Sequence, residues 1–154
     1  MIDEFKALSV EEVDVMCQAP VLVTILIAGA DSTIDNAEIK EAREMAKLKQ
    51  SKDNEVLNEY YKVIGSSFED ELKKRISILP KDTQQRNLVI LDELRKLNKI
   101  LPKLNKKFAV NFYTHLKDLA KRIAEASGGV LGYMAVGKEE SEFVDLNMLK
   151  DPSK

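Results

Sequence analysis

An all-α fold is what this chain predicts, and three features carry that expectation. Apolar residues recur almost everywhere at intervals of three or four, the helical period. Pro and Gly are scarce, at four and six residues. Capping signals open one apolar run after another: Ser9, Asp35, Ser67 and Asp82 each stand three residues before an acid or amide. At 154 residues the chain suits one compact domain over 1–154, with a core spanning about 10–150 and large enough to fold unaided. No Pro/Gly/Ser-rich stretch is long enough to divide it.

The elements follow in order. Ser9-Val-Glu-Glu12 reads as a capping box that opens a short helix ending before Pro20. Pro20 then suits the first turn of a second helix, where no amide donor is missed. Val21, Leu22, Ile25, Leu26 and Ala28 make that second helix apolar nearly all round, so it belongs at the centre of the core. Its Val, Thr and Ile content also fits a buried strand, but no partner strand exists elsewhere. A third helix runs from about Asn36 to Lys49, with Ile39, Ala42 and Met45 inward. A fourth covers roughly Asp53 to Ile64 and breaks at Gly65-Ser-Ser. The fifth has Ser67 as cap and stops at Pro80. Asp82-Thr-Gln-Gln85 caps the sixth, whose Leu88, Leu91, Leu94, Leu97 and Leu101 read as one core stripe ending at Pro102. A long helix from about Asn105 to Ala126 carries Phe108, Phe112, Leu116, Leu119 and Ile123, and Ser127-Gly-Gly should break it. Lys138 to Leu149 closes the chain, and the last residues should fray. The total is about seven or eight helices.

Composition excludes several classes of function. Apolar residues make up 44% and charged residues 32%, as in an ordinary soluble globular protein. A net charge of −2 gives no field that favours nucleic acid or an anionic membrane. Lys103, Lys106 and Lys107 form a local basic cluster that reads as a solvated helix end. The longest apolar run, Ala19 to Ala30, is too short to span a bilayer, and the first residues lack the organisation of an export signal. Cys17 is the single cysteine, which suits a reducing compartment, so the cytoplasm is the expected location. Beside Val13 and Met16 it reads as a structural thiol.

Nor does any familiar catalytic constellation emerge. His115 is the lone histidine and sits at the edge of the Phe112/Leu119 stripe, which favours a structural role. No Cys or His pair has zinc spacing. Asp31-Ser-Thr-Ile-Asp35 begins like a calcium loop, but Asn36 and Ala42 stand where an EF-hand needs Gly and Glu. Ser127 to Gly132 lacks the Lys of a phosphate-binding loop and follows a helix rather than a strand.

The acidic helix starts remain. In Ala28-Gly-Ala-Asp-Ser-Thr-Ile-Asp-Asn-Ala-Glu38 an apolar run ends at small residues and gives way to carboxylates. Asp35 has cap spacing to Glu38, which leaves Asp31 to serve either the turn's own amides or a cation or partner. Ser127-Gly-Gly-Val-Leu-Gly132 and Val136-Gly-Lys-Glu-Glu140 echo the pattern, Val136 and Glu140 keeping the spacing of Ile34 and Glu38.

These two segments resemble the motifs of tellurite-resistance TerB-like domains. Ala30 to Glu38 is similar to the family's Ala-Asp-Gly-x-Ile-x-x-x-Glu, and the segment from Ala126 to Glu140 is similar to its second motif. The similarity covers roughly residues 10 to 150, in the right order and spacing. Two departures stand out: Ser32 occupies the motif's Gly position, and the second copy has no acid matching Asp31.

The resemblance implies an all-helical domain of two pseudo-symmetric halves with no established enzymatic activity. It also implies a setting in stress response or membrane-associated assemblies. Its acidic residues imply a divalent cation (calcium, magnesium or manganese) held by Asp31, Glu38 and Glu140, with Asp35 adding a further carboxylate. The leading expectation is therefore a non-enzymatic module that engages a protein partner. One rival is a metal-dependent hydrolase built on clustered carboxylates. The other is a purely structural interaction domain whose acids only cap helices.

Overall fold

The computed structural model describes residues 5–28, 60, 62, 64, 65, 67–135 and 145–154, with backbone alone at 28 and 125–135. Among these residues every regular element is helical, and no strand occurs. The elements are α1 (Val10–Ala28), α2 (Phe68–Ile78), α3 (Thr83–Arg95), α4 (Leu97–Ile100), a 3₁₀ turn over Leu101–Lys103, and α5 (Lys106–Ala135).

The expected capping box forms. The Ser9 hydroxyl accepts from the Glu12 amide at 3.1 Å, and the Glu12 carboxylate accepts from the Ser9 amide at 2.9 Å. The expected break at Pro20 does not. One helix runs through it from Val10 to Ala28, where two helices were expected. An interior proline removes the amide that would bond the carbonyl four residues back. That carbonyl belongs to Met16, and the Tyr60 hydroxyl donates to it at 2.6 Å. One turn further on, the Thr24 hydroxyl donates to the Pro20 carbonyl at 2.7 Å, so this buried polar side chain is satisfied within the helix.

Beyond the proline the helix is the centre of the core, as its composition predicts. From Val21 to Ile27 no side chain is more than 4% exposed. Packing against so many neighbours outweighs the lost amide, because each fully buried aliphatic side chain contributes about 1.5–3 kcal/mol. Tyr60 also joins an aromatic cluster with Phe5, Phe108 and Phe112. Its ring meets Phe112 edge-on at 5.5 Å, and Phe5 meets Phe108 edge-on at 5.9 Å. Gln18 ties α1 to α2, donating to Glu71 and accepting from Arg75, both at 3.0 Å.

α2 begins after Ser67 as expected, although the Ser67 side chain makes no cap hydrogen bond. It ends where Leu79 turns extended ahead of Pro80. Asp82 does cap α3, accepting from the Gln85 amide at 3.0 Å. The leucine stripe is only partly inside: Leu94, Leu97 and Leu101 are buried, but Leu88 is 62% exposed. Steps of three residues fall short of a full turn by about 60°, so Leu88 lies about 120° around α3 from the buried Leu94. The face that is buried instead carries Arg86, Ile90 and Leu94.

α5 corrects a second expected break. It continues through Ser127, Gly128, Gly129 and Gly132 to Ala135. Glycine weakens a helix by about 1 kcal/mol per residue but leaves every backbone hydrogen bond available. The expected third helix lies outside the described residues. So does the fourth, apart from the helical positions Tyr60, Lys62 and Ile64; the closing helix is described only at its end. There, residues 145–148 form turns rather than helix, with buried Leu146 at a φ of 49°.

The tail is also anchored where fraying was expected. The Asn98 carboxamide donates to the Met148 carbonyl at 2.9 Å and accepts from the Lys150 amide at 2.7 Å, seating Leu149 in the core.

Candidate functional site

The sequence's candidate residues, Asp31, Asp35, Glu38 and Glu140, lie outside the described residues. What the structure describes is the pair of core helices that lead to them. Asp31 follows closely on Ala28, the last residue of α1, and Glu140 follows on Ala135, the last of α5. α1 packs more extensively on α5 than on any other described element.

The two helices also begin at a common end. Lys103, just ahead of α5, pairs with Glu12 in the first turn of α1 at 2.6 Å. Tyr60 bonds Met16 of α1 while its ring rests on Phe108 and Phe112 of α5. The Lys103 ammonium, followed by the Ser9 amide, holds the Glu12 carboxyl below the usual carboxylate range. This pair explains part of the basic cluster as a structural tie, while Lys106 and Lys107 remain exposed as expected.

The lone cysteine and the lone histidine are both at least partly withdrawn from solvent. Cys17 is half-buried, and burial, reinforced by the nearby Asp14 charge, pushes its thiol pKa up. A reactive thiolate needs the opposite shift. His115 is 5% exposed on the inner face of α5. Among the described residues no three His, Cys, Asp or Glu side chains converge as a metal site would require.

A concavity that the sequence does not signal lies where the 3₁₀ turn and the start of α5 meet the anchored tail. This cleft of about 390 Å³ is lined by the apolar Leu101, Leu104 and Ala109 and by Lys106, Lys150 and Lys154. Its parts come together through the Asn98 clamp, a long-range contact that no local pattern reveals.

Comparison with known protein families, with characterised proteins and with solved structures finds no match. No helix among the described residues is long and apolar enough to cross a membrane.

Proposed function

We propose that this chain is a non-enzymatic, TerB-like helical module of two related halves. In this reading it engages a protein partner in the cytoplasm, in a stress-response or membrane-associated setting. Asp31, Asp35, Glu38 and Glu140 hold a divalent cation that links the halves. The observation that supports this reading most is the pairing of α1 with α5. Two helices that share a starting end and pack along each other each lead directly, in sequence, into one acidic segment. Hard divalent cations take several carboxylate and carbonyl oxygens, which four acids from two segments supply.

The test is thermal unfolding with calcium, magnesium and manganese at millimolar concentrations. A cation about a hundredfold above its dissociation constant stabilises the folded state by about 2.7 kcal/mol. For a domain of this size that raises Tm by about 5–10 °C. Asp31→Asn should abolish the shift and leave helical content unchanged, since Asp35 has the cap spacing. If none of the three cations moves Tm, the acids are caps and surface, and only the interaction reading stands.

A further inference from the structure

The cleft between the 3₁₀ turn, the first turns of α5 and the tail lies apart from the acidic segments, and its chemistry is opposite in sign. Three lysines, Lys106, Lys150 and Lys154, are among the residues that line it, with one acidic residue, Asp151. That carboxylate is engaged within its own turn, accepting from the Ser153 amide at 2.8 Å and the Ser153 hydroxyl at 2.6 Å. Among the described residues none of the three lysines forms an ion pair, although the Lys154 charge is felt by Asp151, whereas Lys96 and Lys103 are paired with Glu93 and Glu12. The first turn of α5 holds Lys106 and Lys107 and no acid, the reverse of what a helix start favours.

The arrangement is also held in place. Asn98 fixes the backbone on both sides of Leu149, and the Asp151–Ser153 turn shapes the residues that follow. Lys150 and Lys154 therefore project from an ordered backbone, which lowers the ordering cost that binding would otherwise carry.

We infer that this cleft binds a phosphate monoester, its head held by Lys106, Lys150 and Lys154 and its ester group against Leu101, Leu104 and Ala109. The charge matches: near neutral pH a phosphate monoester is close to dianionic, and the side chains of the lining residues include three positive groups and one negative. The size matches as well, since pockets for small ligands start at about 300 Å³. This inference goes beyond the proposed cation site and does not depend on it.

The probe is 1-naphthyl phosphate, followed by amide chemical shifts of the full chain, with inorganic phosphate and 1-naphthol as separate arms. Saturable shifts are expected at Leu104–Ala109 and Lys150–Lys154, weakening as salt rises. The double variant Lys106→Glu/Lys150→Glu should weaken binding at least about tenfold without lowering Tm, because both side chains are exposed, neither is paired among the described residues, and an acid suits the first turn of α5 better than a lysine. Inorganic phosphate should bind the same residues at least about tenfold more weakly than the ester, since it lacks the group that rests on the apolar side. Inorganic phosphate binding as tightly as the ester would overturn the monoester assignment in favour of a bare-anion site. The inference fails outright if 1-naphthol binds as tightly as the ester. It fails equally if the shifts fall elsewhere, if the double variant binds normally, or if the ester gives no saturable shift at all.

Discussion

Tyr60→Phe removes one oxygen from this protein, and its effect should depend on a residue in a different helix. In the native chain the Tyr60 hydroxyl is the donor to the Met16 carbonyl at 2.6 Å, the carbonyl that Pro20 leaves without a helical amide. Both Tyr60 and Met16 are fully buried at 0% exposure, so water cannot replace the lost donor without opening the core. A buried carbonyl stripped of its partner costs about 1–3 kcal/mol. In a domain of this size that lowers Tm by about 2–12 °C.

The control that separates this cause from generic core damage is Pro20→Ala. Alanine restores the amide to the helical ladder, and a carbonyl has two lone pairs, so the Met16 oxygen accommodates both donors. In that background Tyr60→Phe should cost little, and the double-mutant cycle should show a coupling of at least about 1 kcal/mol. The assay is urea unfolding of the four proteins, with unchanged m-values confirming a common two-state reference. A Tyr60→Phe cost below about 0.5 kcal/mol, or an equal cost in both backgrounds, refutes the argument that this hydroxyl compensates the proline.

Three further outcomes follow from the same structure. Leu26→Ala, at a position with 0% exposure in the central helix, should destabilise by about 2–5 kcal/mol in urea unfolding, and a loss below about 1 kcal/mol would contradict its central placement. Asn98→Ala removes both clamps on the tail, so hydrogen exchange at the Lys150 amide should accelerate sharply while exchange in the middle of α1 stays slow. Lys103→Gln should raise the Glu12 pKa towards the ordinary carboxylate value, read by side-chain carboxyl NMR. Because the folded value is depressed, the Glu12 contribution to stability is present above the unfolded pKa and lost as pH falls through the folded one, and the variant should show less of that acid-side loss.

The parts of this fold legible in the sequence are those set by neighbours along the chain. The Ser9/Glu12 box and the Asp82 cap each involve residues three apart, and both form. The burial of Val21 to Ile27 is likewise visible, because a helix apolar on every side has nowhere else to go. What could not be read is compensation from a distance. Pro20 looks like a boundary until Tyr60, 44 residues beyond Met16, is seen to donate to the Met16 carbonyl in place of the missing amide. The tail looks free until Asn98 reaches its backbone from 50 residues earlier. Leu88 misleads for a geometric reason: a run spaced by threes winds around the helix instead of marking one face. The acidic candidates rest on motif resemblance and sequence order alone.

Both core helices contain residues that helix propensity disfavours, Pro20 in α1 and three glycines in the last turns of α5. An interior proline costs about 3 kcal/mol and each glycine about 1 kcal/mol relative to alanine. Neither helix would persist on propensity alone. For α1 the balance is visible, since six apolar side chains between Val21 and Ile27 are buried at about 1.5–3 kcal/mol each. The helical state of α1 is thus a property of the assembled core rather than of its own segment. The body of α1 that precedes Ala28 is fixed by contacts with α5, Tyr60 and α2. Under the proposed cation reading, affinity would depend on core packing as well as on the four carboxylates. A loss of binding after a core substitution would report on that framework, whereas Asp31→Asn reports on the ligands themselves.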